Sequence, residues 1–309
     1  MQSVAFTDFE EFKACRFYLL KGVADKETEG GEMNKYYIYL LFFAVICNGS
    51  TILDQGLGLD GMQMGGAYTA NPLSCSALYW NPANLTNLKH TEIYTSVSKY
   101  FGEVSNSTFI FSSQIQENVT FGLGYLGIAV GDISYTDNSG LSLGENINYK
   151  NEVYLLGLGY RLNNSNSLGV SYKLFRQTAL AKKANESIDF AYRLSISETI
   201  QLGVVAENLL SSGAENEVYA KYRAGIEQAI GNLRLAMDVV QDTQYNKSYV
   251  NYGFAFVALA PLEIRGGMNS YLDNYFLGAS FVLEGIRIEY MFCNPELGTV
   301  HRVGFGLNI

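Results

Sequence analysis

From Ile286 to Cys293 the chain changes character at every step: Ile286, Ile288, Tyr290 and Phe292 alternate with Arg287, Glu289, Met291 and Cys293. Only a β-strand sends successive side chains to opposite faces, so this segment has one apolar wall and one polar wall. The closing segment repeats the pattern, with Val303, Phe305, Leu307 and Ile309 on one side and Arg302, Gly304, Gly306 and Asn308 on the other. Strands of this kind suit either a soluble antiparallel sheet with one wet face or a barrel standing in lipid.

Composition leans toward the barrel. Charged residues make up 17% of the chain, against roughly a quarter in soluble domains. A mean hydropathy of +0.03 is too polar for a helical membrane protein. It fits strands that turn one face to lipid and the other to a polar lumen. The formal net charge of -9 argues against a nucleic-acid partner, which would need basic patches.

Export is written near the N-terminus. Met33-Asn34-Lys35 supplies a start and a positive charge, Tyr36 to Cys47 (YYIYLLFFAVIC) is apolar, and Asn48-Gly49-Ser50 is small and polar. That is the layout of a secretory signal peptide over residues 33–50, with an apolar run short for a bilayer span. A membrane anchor is the alternative; lipidation of Cys47 is opposed by the bulky Ile46. Residues 1–32 are charged and lack the later alternation, which reads as an extension ahead of a true start at Met33, or as a short cytosolic segment before an anchor. Cys75 and Cys293 then remain after export, either paired or as two free thiols.

Residues 51–90 do not alternate. They are rich in Gly and Ala and carry the single Trp, Trp80, beside Asn81-Pro82. Small residues such as Gly65, Gly66, Ala67 and Ala70 allow close packing, so this segment is expected to be a hatch inserted in a barrel, with an irregular cap over a sheet as the other option. In Asn81-Pro82 the proline fixes a turn, and the asparagine can bond backbone left unpaired there.

From residue 91 to 309 strand-length segments follow one another. Outward apolar faces are expected at Ile188, Phe190, Tyr192 and Leu194; at Val218, Ala220, Tyr222, Ala224 and Ile226; at Leu233, Leu235, Met237 and Val239; and at Val250, Tyr252, Phe254 and Phe256. Turn residues fall at Asn163 to Asn166, Ser211-Ser212-Gly213, Gly231-Asn232 and Asp273-Asn274. The count is about fourteen strands, an even number that lets the two ends meet and removes open edges. Two longer connections, Asp137 to Asn148 and Leu180 to Asn185, are expected on the same, extracellular side. The inward faces carry both signs of charge: Asp189 and Arg193; Lys221, Arg223 and Glu227; Arg234 and Asp238; Glu263 and Arg265; Arg287 and Glu289; and Arg302. Pairing among these across the wall and with the inserted segment favours a filled lumen, whereas on a soluble sandwich they would be a solvated face.

The segment Gly61-Met62-Gln63-Met64-Gly65-Gly66-Ala67-Tyr68-Thr69-Ala70, followed by Ser76-Ala77-Leu78-Tyr79-Trp80-Asn81-Pro82-Ala83-Asn84-Leu85, resembles the N-terminal signature of FadL-like outer-membrane barrels. Within that superfamily it is most similar to the PorV/PorQ group. Ile264-Arg265-Gly266-Gly267, Gly278 to Tyr290, and His301 to Gly306 are similar to the closing strands of those proteins, so the resemblance spans roughly residues 52 to 309. It implies a transmembrane antiparallel β-barrel of fourteen strands in the outer membrane, with Gly65, Gly66, Ala67, Tyr68, Trp80, Asn81 and Pro82 in the hatch. FadL members pass hydrophobic small molecules; PorV-like members work with type IX secretion machinery and exported cargo. Two departures stand out: Ile309 occupies a place where such barrels end in an aromatic residue, and the inward faces are more ionic than a hydrophobic conduit needs.

Catalytic chemistry finds no foothold in the sequence. His90 and His301 lack spaced partners for a metal or a nucleophile, and Gly122-Leu123-Gly124 and Gly157-Leu158-Gly159 lack the strand-to-helix setting of a nucleotide loop. The expectation is therefore a non-enzymatic barrel with no cofactor, serving secretion or surface attachment of exported proteins. Alternatives are a FadL-like channel for hydrophobic small molecules and a structural barrel without transport. Outer-membrane lipid is its surroundings in each case.

Overall fold

Tyr290 and Phe292 point away from the molecule while Glu289, Met291 and Cys293 point into it, as the alternation requires. The structure, a computed structural model, describes residues 56–100, 104–136, 142–179, 182–213, 218–271, 274–294 and 299–309. The expected signal segment and the residues ahead of it lie outside that set.

Fourteen long strands and one two-residue strand among the described residues form one antiparallel sheet. The long strands are β1 (Glu92–Tyr100), β2 (Val104–Gln116), β3 (Val119–Thr136), β4 (Ser142–Arg161), β5 (Asn166–Thr178), β6 (Lys182–Ser195), β7 (Ile200–Glu207), β8 (Lys221–Ile230), β9 (Leu233–Asp242), β10 (Lys247–Leu259), β11 (Leu262–Asn269), β12 (Asn274–Leu283), β13 (Ile286–Cys293) and β14 (Val300–Asn308). Each pairs with its sequence neighbours, and β1 pairs with β14 from Glu92↔Asn308 to Ser98↔Arg302. That last pairing closes the barrel and leaves the sheet without an open edge.

The two ends differ. At one, residues 117–118, 231–232, 260–261 and 284–285 join strands directly. Glu284 and Gly285 both take positive φ, 49° and 84°, the conformation whose twist suits a two-residue hairpin. Asn163 Oδ1 accepts the N–H groups of Ser165 and Asn166, both at 2.9 Å, and so pins another short turn there. At the other end the longest connection, residues 208–220, runs between β7 and β8.

Three expectations are corrected here. Val218 is buried against the interior, because β8 begins only at Lys221 and the outward face starts with Tyr222. Ser212–Gly213 is more than a turn, since it pairs with Asn185 and Glu186 of β6 above the point where β7 stops. The stretches ending at Asn148 and Asn185 are largely strand, as β4 starts at Ser142 and β6 at Lys182, so the connections themselves are short. Both still fall at the loop end.

Outside, the wall is apolar: Leu156, Leu158, Phe190, Leu235, Phe254, Leu277, Ile288 and Phe305 are all exposed. Inside, the core is built jointly by the inward strand faces and residues 56–90, with Leu57, Leu59, Met64, Leu78, Trp80 and Leu85 meeting Tyr94, Ile110, Leu126, Val153, Leu155 and Met291.

Candidate functional site

Residues 56–90 fold as a chain of tight bends because glycine recurs where the backbone must reverse. α1 (Leu59–Gln63) is one turn long. It is followed by Gly65 and Gly66, both at positive φ, 66° and 83°, a region open to glycine without steric cost. α2 (Ala77–Trp80) carries the tryptophan inward, and Asn81 then caps a 3₁₀ helix (Pro82–Asn87) by accepting the Ala83 N–H at 3.0 Å. Pro82 stands in the first turn, where its missing N–H is no loss. The Asn81 amide also donates to the Thr69 carbonyl at 2.8 Å and to the Tyr192 carbonyl of β6 at 3.3 Å. The asparagine thus ties two parts of the segment to the wall.

Trp80 is the centre of this packing. Its indole N–H donates to the Leu57 carbonyl at 3.1 Å, and Tyr79 and Tyr68 meet it edge-on at 4.9 and 6.3 Å between ring centres. The Arg223 guanidinium of β8 lies 5.3 Å from the ring centre. Gly65, Gly66, Ala67, Tyr68, Trp80, Asn81 and Pro82 therefore gather in one buried core inside the barrel.

The wall accepts this segment through its own glycines. A Cβ on Gly253 or Gly267 would run into the Met64 backbone, one on Gly203 into the Thr69 carbonyl, and one on Gly169 into Pro82 and Ala83. Gly124 and Gly157 instead make room for the Leu78 side chain. Strand glycine weakens a sheet unless something packs closely against it, and here another stretch of backbone does.

Toward the short-turn end an ionic girdle fixes the segment. Asp60 lies beside Ser74, accepts from Ser76 at 2.9 Å and from the Tyr68 hydroxyl at 3.2 Å, and faces Arg287 at 3.9 Å. Burial alone would raise the Asp60 carboxyl, but the Arg287 and Arg265 guanidiniums, with the two serines, hold it below its ordinary 3.8. Arg265 donates to Gln63 at 2.9 Å and to Glu289 at 2.8 Å, and pairs with Glu263. Arg234 bridges Glu227 at 3.3 Å and Glu263 at 3.1 Å, while Asn71 donates to Glu227 at 2.8 Å. Arg287 pairs with Glu92, whose other oxygen accepts the Cys75 N–H at 2.7 Å. The Tyr94 hydroxyl donates to Glu289 at 2.8 Å. Asp238 accepts two backbone N–H groups, from Tyr68 at 3.1 Å and Thr69 at 2.9 Å.

A second charged layer lies toward the loop end over β5 to β8. Lys173, fully buried, sits 2.7 Å from Asp189 and 4.0 Å from Glu207, and Arg223 pairs with Glu207. Asp189 also accepts from Ser171 at 2.8 Å and from the Asn208 N–H at 2.8 Å. Elsewhere Ile110, Leu126, Val153, Leu155, Phe276 and Met291 meet the core, beside buried polar residues such as Ser98, Asn106, Thr108 and Ser280. The charges expected on the inward faces thus fall in two layers, with apolar and uncharged polar side chains between and beside them.

The inward list of charges is placed accordingly. Asp189, Arg223, Glu227, Asp238, Arg265, Glu289 and Arg302 are buried, and Arg193, Arg234, Glu263 and Arg287 are half-buried. Arg193 donates to Gln201 at 3.0 Å. Lys173, Glu207, Asp60, Glu92, Gln63 and Tyr94 belong to the same constellation and were not singled out by sequence. Lys173 was within reach of the alternation, since it shares a face with Gly169 and Ser171.

Chemistry is sparse. Among the described residues no group of His, Cys, Asp and Glu side chains is arranged to hold a metal ion. His301 lies against the Tyr290 hydroxyl at 2.5 Å on the outer face, and His90 is exposed. Cys75 and Cys293 are buried free thiols.

No family model matches the chain, and no curated protein matches it. Solved structures do. The Pseudomonas putida toluene transporter TodX superposes with a TM-score of 0.63 at 11% identity, over 82% of this chain and 99% of that one. The Ralstonia pickettii toluene transporter TbuX gives 0.60 at 13% identity, over 82% and 97%. A Pseudomonas aeruginosa FadL homologue gives 0.58 at 11% identity, over 82% and 98%. At these identities the likeness is one of fold, and the fold is the FadL-like barrel.

Proposed function

We propose that the chain is an outer-membrane barrel of the PorV/PorQ type, a non-enzymatic component that holds or receives exported proteins at its loop end. The observation that carries this reading is the firm attachment of residues 56–90 to the inside of the wall. Residues 56–90 are bound to the wall through buried carboxylates and guanidiniums, and moving them as a body would strand several charges in a poorly solvated interior. Breaking one such buried pair costs about 3–5 kcal/mol. A plug held this firmly makes the loop face the working surface. Leu209, Leu210 and Tyr219 are exposed there, and Tyr271 stacks on Tyr249 at 5.3 Å; apolar and aromatic groups of this kind suit docking of a protein. The apolar outer wall and the placement of the longest connection at one end support insertion with that end outside the cell.

The test is a photo-reactive residue in place of Leu210 in the producing cell. Cross-links to exported proteins or to secretion components support the reading. Efficient insertion of the barrel with no protein adduct sinks it.

A second reading, a FadL-like channel for small hydrophobic molecules, draws support from the buried apolar cluster of Ile110, Leu126, Val153 and Leu155 against the inserted segment. The fold neighbours TodX and TbuX are toluene transporters. Vesicles bearing the barrel would then take up toluene faster than empty vesicles, and equal rates would rule this reading out.

A further inference from the structure

Three cations stand together on the outer wall at the loop end. Lys150 on β4, Arg176 on β5 and Lys182 on β6 are exposed at outward positions. Lys150 and Lys182 both register with Thr178 of the intervening strand, and Arg176 lies one outward step further along that strand. With neighbouring strands about 4.8 Å apart, the two lysine backbones are roughly 10 Å from each other and the arginine sits between them.

Their carboxylate neighbours are engaged elsewhere. The Tyr125 hydroxyl donates to Glu152 at 3.1 Å, and Tyr172 hydrogen-bonds Glu186. Among the described residues no carboxylate forms an ion pair with any of the three cations, whereas the lumenal Lys173, Lys221, Arg223, Arg234, Arg265 and Arg287 all have one. The Arg176 guanidinium lies 5.6 Å from the centre of the Tyr154 ring, which orients its plane and leaves N–H groups for a planar or tetrahedral anion. Such a basic group is notable on a chain of net charge -9.

Height along the wall identifies the anion. The exposed band on β4 runs through Tyr154, Leu156, Leu158 and Tyr160. From Tyr154 to Lys150 the strand climbs about 13 Å, less along the membrane normal because barrel strands tilt. With the apolar band in hydrocarbon, the three cations reach the level where head groups begin.

We propose that Lys150, Arg176 and Lys182 form a docking site for the phosphate-bearing head group of an outer-leaflet lipid. The site rests on the outer-membrane reading of the barrel. Arginine supplies the forked donor set that fits a phosphate, and the lysines add flanking point charges.

The full chain is inserted into phosphatidylcholine vesicles containing equal small fractions of phosphorylated lipid A and its dephosphorylated form, then extracted in mild detergent, and both lipids are counted per barrel. The phosphorylated form is expected to be enriched. The enrichment falls by roughly fivefold for each cation removed in a K150Q, R176Q, K182Q series. K99Q, on the outward face of β1, keeps it, and millimolar inorganic phosphate does not displace the lipid. Equal retention of the two lipids, an unchanged ratio in the triple variant, or displacement by free phosphate overturns the site. Loss of the heat-modifiable band in wild-type vesicles would overturn the membrane reading and the site with it; a retained band with no lipid preference overturns the site alone.

Discussion

Asp238 Oδ2 on β9 accepts the backbone N–H of Thr69 at 2.9 Å, joining the wall to the inserted segment across 169 positions of sequence. The same oxygen takes the Tyr68 N–H at 3.1 Å. A carboxylate receiving two buried N–H groups is a strong anchor, and removing it leaves both donors without a partner. D238A is expected to weaken attachment of the segment by about 3 kcal/mol, and D238N, which keeps an acceptor, by less than half of that. Urea unfolding of the two variants in vesicles measures the difference, and equal midpoints would refute it.

The anchor at Asp60 has a defined pH dependence. Its carboxyl titrates below 3.8 in the folded protein, so the stability it contributes is fully present above that value and is lost as pH falls through the folded pKa. Between pH 7 and 5, protease cleavage within residues 56–90 should be insensitive to pH through this group. As pH falls below 3.8 the gap in cleavage rate between wild type and D60N should begin to narrow. A gap that closes already near pH 6 would show that Asp60 is not held in its charged form.

Gly267 is a test of seating rather than of charge. A side chain there meets the Met64 and Gly65 backbone, which has no rotamer to change. G267V should displace the segment at a cost of about 1–3 kcal/mol while β10 to β12 keep their pairing. The expected phenotype is a barrel that stays heat-modifiable on a gel but shows ion conductance in a planar bilayer. Conductance equal to wild type would mean that the wall yields instead.

The outward faces were legible because a period of two is a local property, and Ile286, Ile288, Tyr290 and Phe292, like Leu235, Met237 and Val239 and Tyr252, Phe254 and Phe256, lie on the outer side of the barrel as the alternation demands. Val218 was misread because alternation continues past the end of a strand, and nothing in Val218 to Ala220 announces that pairing starts at Lys221. The partners of the inward charges were less legible. That Arg265 meets Gln63, or Glu92 meets Cys75, depends on how residues 56–90 coil inside the lumen, a long-range outcome that local periodicity does not carry. Nothing local marks Gly169, Gly203, Gly253 or Gly267 for their purpose, which emerges only with the backbone of the inserted segment laid against them.

Cys75 reports on that segment directly. It is fully buried and free, burial pushes its thiol above the ordinary cysteine value, and Cys293 is likewise buried and free. Neither thiolate character nor access favours reaction, so a maleimide should label Cys75 and Cys293 slowly in the folded barrel and quickly in denaturant. Mild oxidant should leave mobility on a non-reducing gel unchanged. Labelling of Cys75 requires local opening, whose free energy D238A lowers by about 3 kcal/mol, and the rate in that variant should therefore rise by roughly a hundredfold. The comparison is made in a C15S/C47S/C293S background, in which Cys75 is the one remaining thiol. Rapid labelling of the wild-type fold, or an unchanged rate in D238A, would mean that Asp238 does not hold residues 56–90 in place.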